Sequence, residues 1–167
     1  MNTKQIAVAA IIAATKLAMN MVFHPISFGP INFRVSNALL GTLPFIGMPG
    51  VVAFFIAGIW TNATSPLGPI DLVSPFIGAI FNYIIILAAR RENARLIFGA
   101  MVLYGVGIGV WVGWMLNYAL GLPLIAMIAD VALSNTFVSA ILAYPVYETL
   151  KRIIPTHFPG LAQDLKA

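Results

Sequence analysis

The stretch INFRVSNALLGTLPF, residues 31–45, places two strongly polar side chains inside an otherwise apolar segment. On an α-helix, Arg34, Asn37 and Gly41 fall three and four residues apart, so they share one face, and the small Gly41 leaves space beneath the two polar groups. A guanidinium and a carboxamide on one face of an apolar helix indicate a polar pocket. We therefore expect the rest of the chain to enclose this stretch.

The composition indicates a membrane environment. Of the 167 residues, 60% are hydrophobic and 8% are charged, and the mean hydropathy is +0.96. Such a chain has too little polar surface to cover a soluble globule, so we predict an all-α integral membrane protein. No cleavable signal peptide is expected before the first helix. With no cysteine, disulfides, thiolate catalysis and sulfur-ligated metals are excluded.

Six hydrophobic segments are candidate transmembrane helices, because a bilayer core needs about 20 apolar residues per helix and fewer where neighbours shelter it. They are 5–23, 32–47, 50–65, 71–89, 96–118 and 122–150. The second and third are short and are separated by Pro44, Gly47, Pro49 and Gly50, which predicts a tight hairpin or a re-entrant pair. Residues 1–155 then form one transmembrane domain, and 156–167 form a short cytoplasmic tail.

The basic residues predict an orientation. Six spans put both termini on one side, and a cytoplasmic amino terminus places the Arg90 to Arg95 loop and Lys151-Arg152 in the cytoplasm. Seven of the nine basic residues then obey the positive-inside rule, Lys16 and Arg34 being the others. The net charge of +4 therefore reports topology, and we predict no nucleic-acid partner.

The opening stretch also resembles a known family. FRVSNALLGTLPF is similar to the FRVSEAL...LP segment of the QueT family, the queuosine-precursor substrate-binding (S) components of energy-coupling-factor (ECF) vitamin transporters. Chain length, helix count and the segment from Asp71 to Gly78 fit as well. Asn37 departs from the family pattern, in which a Glu is expected, and this departure bears on the substrate.

The resemblance implies an ECF S-component-like bundle in a prokaryotic cell membrane. Such a component captures a deazaguanine queuosine precursor (a preQ1-, preQ0- or queuine-like base) from outside, and works with a transmembrane coupling (T) subunit and two ATPase subunits. Asn37 in place of Glu removes a partner for a cationic aminomethyl group. A neutral base, for example a nitrile-bearing one, is therefore expected to fit better.

Candidate substrate contacts are the polar and aromatic residues without a topological role. They are Lys16, Arg34, Asn37, Asn62, Asp71, Asn82, Trp111, Trp114, Asn117, Tyr118, Asp130 and Asn135. In the predicted topology they fall in the outer half or the outer loops. This predicts a pocket open to the exterior, because a channel would need polar lining in both halves.

Several of these candidates have structural alternatives. Lys16 either lines the pocket or extends its ammonium to the interface. Asp71 either contacts the ligand or caps a helix. An alternative helix start lies at Ser74-Pro75. Asn82, in mid-membrane, needs a partner from a neighbouring helix or from a ligand.

The fifth and sixth spans carry a second group with two interpretations. Trp111, Trp114 and Tyr118 share a face beside Asn117, which is typical of an interfacial belt but also of a site that stacks a flat heteroaromatic ligand. Asp130 is followed one turn later by Ser134, with Asn135 beside it. Asp130 is predicted to contact the ligand or to pair with Lys16 or Arg34.

Small residues recur on two helices. The glycines Gly105, Gly109 and Gly113 predict a close-packed helix seam. On the first helix, Ala9, Ala10, Ala13 and Ala14 are typical of internal packing by themselves, whereas the ECF resemblance implies that they dock on the T subunit.

Enzyme signatures are missing from the sequence. His24 and His157 lie on opposite sides of the predicted membrane and cannot share a metal, and no P-loop motif is present, so we predict no metal, no cofactor and no ATPase activity. Two alternative functions stay open. One is a membrane assembly protein that uses its small-residue seams, and the other is a stand-alone ion-coupled carrier.

Overall fold

The chain folds into helices joined by short connections. The structure, a computed structural model, describes residues 3–27 and 32–157, so Ile31 and residues 158–167 of the predicted tail lie outside it. Within the described residues six longer helical segments follow one another: α1 Thr3–Val22, α2 Val35–Ile46, α3 Met48–Ala63, α4 Gly68–Ala89, α5 Ala94–Leu120 and α6 Leu124–Thr156. A single helical turn, His24–Ser27, lies between α1 and α2. The six longer segments match the six predicted segments to within a few residues and confirm the all-α class, with no strand in the described ranges.

The lengths of these segments set how many can cross a bilayer. α1, α4, α5 and α6 are long and apolar enough to do so, whereas α2 and α3 are shorter. The short second and third segments were expected from the Pro and Gly residues between them. Six complete crossings and the orientation of the termini stay predictions.

The segment α2 differs from the α-helix expected around Arg34. Val35–Thr42 is a 3-10 helix, followed by a single α-helical turn, Leu43–Ile46. A 3-10 helix has three residues per turn, so Arg34, at its amino-terminal cap, and Asn37 lie one above the other. The segment ends at Gly47, whose φ of 67° is a left-handed conformation that favours glycine, and this confirms the predicted break.

Gly41 does not open space beneath the polar groups, and that prediction is wrong. A Cβ at Gly41 would overlap the main-chain oxygen of Ala143 and the nitrogen of Tyr147. The carboxyl-terminal part of α6 therefore packs directly on α2 at this point. The small residue serves helix packing and not the pocket.

The six segments form a closed ring. α1 packs on α3, α3 on α4, α4 on α5 and α5 on α6, and the last part of α6 returns to α2, which also contacts α1. The α5 and α6 contact is the most extensive, because its three glycines allow the backbones to meet. A Cβ at Gly105, Gly109 or Gly113 would overlap the α6 backbone, which confirms the predicted seam.

Two irregular turns shape the helices around the site. A 3-10 turn, Gly68–Val73, precedes the α-helical part of α4, which begins at Ser74. The α-helix therefore starts at the Ser74-Pro75 pair, the alternative start. In α6, a π-helical segment, Phe137–Leu142, follows Thr136.

Candidate functional site

One end of the ring encloses a small polar cavity with an interior volume of about 40 Å³. Its polar lining comes from Lys16, Asn20, Arg34, Asn37, Asn62, Ser74, Asn82 and Tyr104. Its apolar lining comes from Phe54, Gly58, Pro75, Gly78, Ile108 and Val112. Apolar walls with a few placed polar groups are typical of small-molecule sites, and the interior volume is smaller than that of ligand-filled sites, so a bound base would have to widen it. We call this space the polar cavity.

Asn37 of α2 lines the polar cavity and bonds to residues of three other helical segments. Its Oδ1 accepts hydrogen bonds from Lys16 Nζ at 3.2 Å and from Tyr104 OH at 3.4 Å. Its Nδ2 donates to Asn135 Oδ1 at 3.0 Å. Asn135 does not line the cavity, so this predicted residue stands behind Asn37 and orients it.

Lys16 faces the cavity and does not extend to the interface. Its ammonium also donates to Ser36 Oγ at 3.2 Å and lies 4.6 Å from the centroid of the Phe54 ring, a cation–π distance. Ser36 donates to Asn20 Oδ1, and Asn20 Nδ2 donates to Thr61 Oγ1 at 3.0 Å. Within the described residues no carboxylate lies at ion-pair distance from Lys16.

Asp71 lies behind the cavity and organises three of its neighbours. Its Oδ1 accepts from Ser74 Oγ at 2.6 Å and from Asn62 Nδ2 at 3.1 Å, and its Oδ2 lies 3.8 Å from a guanidinium nitrogen of Arg34. Asn62 Nδ2 also donates to the Asp71 main-chain oxygen at 3.0 Å. Asp71 makes no side-chain cap, so its capping alternative is not seen.

One face of α4 carries Asp71, Pro75, Gly78 and Asn82, and three of these four residues line the polar cavity. Pro75, Gly78 and Asn82 line the cavity, whereas Asp71 lies behind it. A Cβ added at Gly78 would meet nothing within 4 Å. The Asn82 side chain is 3% exposed and has no hydrogen-bond partner among the described residues.

The aromatic residues of α5 are divided between the cavity wall and the outside of the bundle. Trp111 Nε1 donates to Ser74 Oγ at 2.9 Å and so supports the wall. Trp114 and Tyr118 are 41% and 71% exposed, with ring centroids 5.6 Å apart. Asn117 Nδ2 donates to the Leu122 main-chain oxygen at 2.6 Å and closes the helix end. Trp114, Asn117 and Tyr118 do not line the polar cavity, so their contact with a ligand stays a prediction.

Asp130 is also outside the polar cavity, and its predicted ligand contact is not supported. It is half-buried on α6. The predicted ion pair with Lys16 or Arg34 is wrong, because Lys16 is bonded to Ser36 and Asn37 while Arg34 faces Asp71. The contribution of Asp130 to the local structure is its main-chain oxygen, which accepts from Ser134 Oγ at 2.8 Å.

Several lining or supporting residues were missed from the sequence. Asn20 lies one turn beyond Lys16 on the same helix face, and Ser36 lies inside the stretch of residues 31–45. Both could therefore have been predicted from their positions in the sequence. Tyr104, which bonds Asn37 across 67 residues, could not have been predicted in this way. Its phenol meets Asn37 only because the glycine seam sets the rotation of α5.

The alanines of α1 point in different directions. Ala9 is buried in the bundle and Ala13 is half-buried, whereas Ala10 and Ala14 are exposed one turn apart. Ala9 is therefore a packing residue, and its predicted place on a docking surface is wrong. Ala10 and Ala14 keep an outward face of small residues.

Fold and cavity together define the class of this protein: a multi-pass helical membrane protein with a polar cavity at one end. A family model described as QueT transporter matches residues 6–152, which include all residues that line the cavity. The chain belongs to the QueT transporter family and is a transporter rather than an enzyme. A search of curated proteins and a search of solved structures each gave no significant match.

Proposed function

We propose that this protein is the S component of an ECF-type transporter in the cell membrane of a prokaryote. It captures a deazaguanine queuosine precursor in the polar cavity, and a T subunit with two ATPase subunits drives its uptake. The observation that carries the proposal is the convergence of five helical segments on a buried set of donors and acceptors at one end of the bundle. Family membership supports a transported queuosine precursor as the ligand.

The positions of the cavity and of the basic residues support an orientation in the membrane. The cavity is lined by the end of α1, the start of α2, the middle and end of α3 and the first two thirds of α4, together with the middle of α5. Arg90, Arg91 and Arg95 lie at the connection between α4 and α5. With these arginines in the cytoplasm, the cavity faces the exterior. We propose six crossings, both termini cytoplasmic, a transmembrane domain of residues 1–155 and a cytoplasmic tail of 156–167.

The charges beside the cavity favour a neutral base. Lys16 and Arg34 supply two cations, and Asp71 supplies one carboxylate next to Arg34. A cationic group on the ligand would add a third positive charge and would be repelled in this site. A deazaguanine with a neutral substituent can instead offer carbonyl and ring-nitrogen acceptors to the two cations, with its ring between Phe54 and the apolar wall of α5.

The outward face of α1 is the proposed contact with the T subunit. Ala10 and Ala14 are exposed, and small residues one turn apart let another helix approach closely in a bilayer. The same face would lie against lipid in the isolated S component. Partner docking would therefore require no rearrangement of the polar cavity.

Ligand binding by the purified protein in detergent tests the proposed function. We would follow tryptophan fluorescence during titration with deazaguanine bases, guanine and queuine. We expect saturable quenching by a deazaguanine in the wild-type protein and its loss in Arg34→Ala, which removes a cation from the cavity. Asp130→Ala is the matched control, and it should bind as the wild type does, because Asp130 lies outside the cavity. A folded wild-type protein that responds to none of these bases would contradict the proposed substrate.

A further inference from the structure

Asn82 differs from the other polar residues of the cavity because no described residue hydrogen-bonds to its side chain. It is 3% exposed, lines the polar cavity and lies in the middle of α4. Its Oδ1 is buried without a partner. A carboxamide in a membrane-embedded site is destabilising unless another group satisfies it, so Asn82 requires hydrogen bonds from a molecule in the cavity.

The neighbouring asparagines already form hydrogen bonds with other residues of the protein. Both atoms of the Asn37 carboxamide are bonded, to Lys16 and Tyr104 on one side and to Asn135 on the other. Only one polar atom of the Asn62 carboxamide is hydrogen-bonded: its Nδ2 donates to two oxygens of Asp71, whereas its Oδ1 has no partner among the described residues. This pairing fixes the orientation of the Asn62 amide, because the reverse orientation would set oxygen against oxygen.

We propose that Asn82 is the specificity-determining residue of the site and pairs with a cyclic amide edge of the ligand, where an N–H lies beside a C=O. This inference rests on the proposed function. A primary carboxamide carries a donor and an acceptor side by side, so it forms two parallel hydrogen bonds with such an edge. The Asn62 Oδ1 supplies a second, fixed acceptor for another N–H of the same ligand.

The backbone beside Asn82 places no side chain in the way of this pairing. Gly78 lies one turn away on the same face of α4, and a Cβ there would meet nothing within 4 Å. A flat ring can therefore lie close to the helix and reach the Asn82 carboxamide edge-on. Ile108 and Val112 of α5 line the same cavity and offer apolar contacts for the ring.

A comparison of two ligands in two proteins tests the role of Asn82. The ligands are 7-deazaguanine and its N1-methyl derivative, which lacks the N–H of the cyclic amide, and the readout is the ratio of their Kd values. In the wild-type protein we expect methylation to weaken binding about tenfold or more, as for loss of one buried hydrogen bond. In Asn82→Ala we expect weaker binding of 7-deazaguanine and a ratio close to one, because the two changes remove the same interaction.

Controls separate the hydrogen bond from shape and from folding. Leucine is similar in size to asparagine, so Asn82→Leu adds no space to the cavity. It should also give a ratio of Kd values close to one, which would exclude added space as the cause. Asn117→Ala, outside the cavity, should keep the wild-type ratio. Size-exclusion chromatography and thermal unfolding establish that each variant is folded.

The outcomes distinguish this inference from the proposed function. Equal affinity of the wild-type protein for the two bases, or an unchanged ratio in folded Asn82→Ala, would overturn the role of Asn82 while leaving deazaguanine capture in place. A wild-type protein that binds neither base would overturn both. A ratio that collapses in Asn82→Ala and Asn82→Leu and persists in Asn117→Ala supports the assignment.

Discussion

Lys16 and Asn37 are 21 residues apart in the sequence and are joined by a hydrogen bond of 3.2 Å from Nζ to Oδ1 inside the polar cavity. The bond ties α1 to α2. Because Asn37 also bonds Tyr104 of α5 and Asn135 of α6, this one carboxamide connects four of the six helical segments. The stretch of residues 31–45, predicted to carry a polar pocket, therefore supplies the residue that joins most of the site.

Replacing Asn37 by leucine should destabilise the bundle. The change leaves Lys16, Tyr104 and Asn135 each short of one partner, and about 1 kcal/mol per bond gives a loss of roughly 3 kcal/mol in the free energy of unfolding. Thermal unfolding in detergent should show a lower Tm. Asn37→Asp keeps the acceptor for Lys16, so its Tm should fall less than that of Asn37→Leu. Equal Tm values for the wild type and Asn37→Leu would contradict this role of Asn37.

A carboxylate at position 37 should change the ligand preference. In Asn37→Asp the new charge lies beside Lys16 and balances the excess cation of the site, so repulsion of a cationic ligand falls. We expect the affinity for an aminomethyl deazaguanine relative to a nitrile-bearing one to rise about tenfold, which corresponds to about 1.4 kcal/mol. Parallel titrations of both bases measure this ratio. An unchanged ratio would mean that the charge at position 37 does not select the substrate.

Gly78→Val should block binding and leave the fold intact. A Cβ at Gly78 meets nothing within 4 Å, and the residue lines the cavity, so the added methyl groups occupy ligand space. Gly109→Val is the contrasting change, because a side chain there overlaps the α6 backbone at Ala132. We expect Gly78→Val to show a near-native Tm without ligand quenching, and Gly109→Val to be unfolded or aggregated. Normal ligand affinity in Gly78→Val would place the ligand elsewhere.

The fluorescence response should come from a single tryptophan. Trp111 donates a hydrogen bond to Ser74 in the cavity wall, whereas Trp60 and Trp114 are exposed on the outside of the bundle. Ligand-induced quenching should therefore disappear in Trp111→Phe and persist in Trp60→Phe. Isothermal titration calorimetry on Trp111→Phe distinguishes a lost signal from lost binding. Quenching that depends on Trp60 instead would argue against the cavity as the site.

Ala14→Leu should weaken assembly with the T subunit while leaving ligand binding unchanged. The residue is exposed on α1, and a larger side chain keeps a partner helix at a distance. Co-purification with the coupling module and cellular uptake should both fall, whereas the Kd for the base in detergent should not. Ala126→Leu, exposed on α6, is the control for a general effect of a larger lipid-facing residue. If Ala14→Leu assembled fully with the coupling module, the proposal that α1 is the docking surface would be rejected.

Much of the fold could be predicted from the order of apolar and helix-breaking residues. In a bilayer, backbone groups must be hydrogen-bonded internally, so each long apolar run becomes a helix and its length sets the helix length. Gly47 marks the break between α2 and α3 because its left-handed φ favours glycine. A polar side chain inside an apolar segment is energetically unfavourable in a bilayer unless it has a role. On this ground the sequence could indicate five site residues: Lys16, Arg34, Asn37, Asn62 and Asn82.

The tertiary structure decided which face of each helix points inward. Gly41 and Gly78 have the same chemistry, yet one meets the backbone of α6 and the other faces the cavity. Likewise Asp130 and Trp114 carried strong polar or aromatic signals and lie outside the cavity, while Tyr104 carried none and bonds Asn37. Helix rotation depends on contacts between segments distant in the chain, such as the glycine seam of α5 on α6, and on the local 3-10 geometry of α2. The order of residues along the chain thus sets the helices and supplies most of the polar groups of the site, and packing between helices sets which of those groups meet.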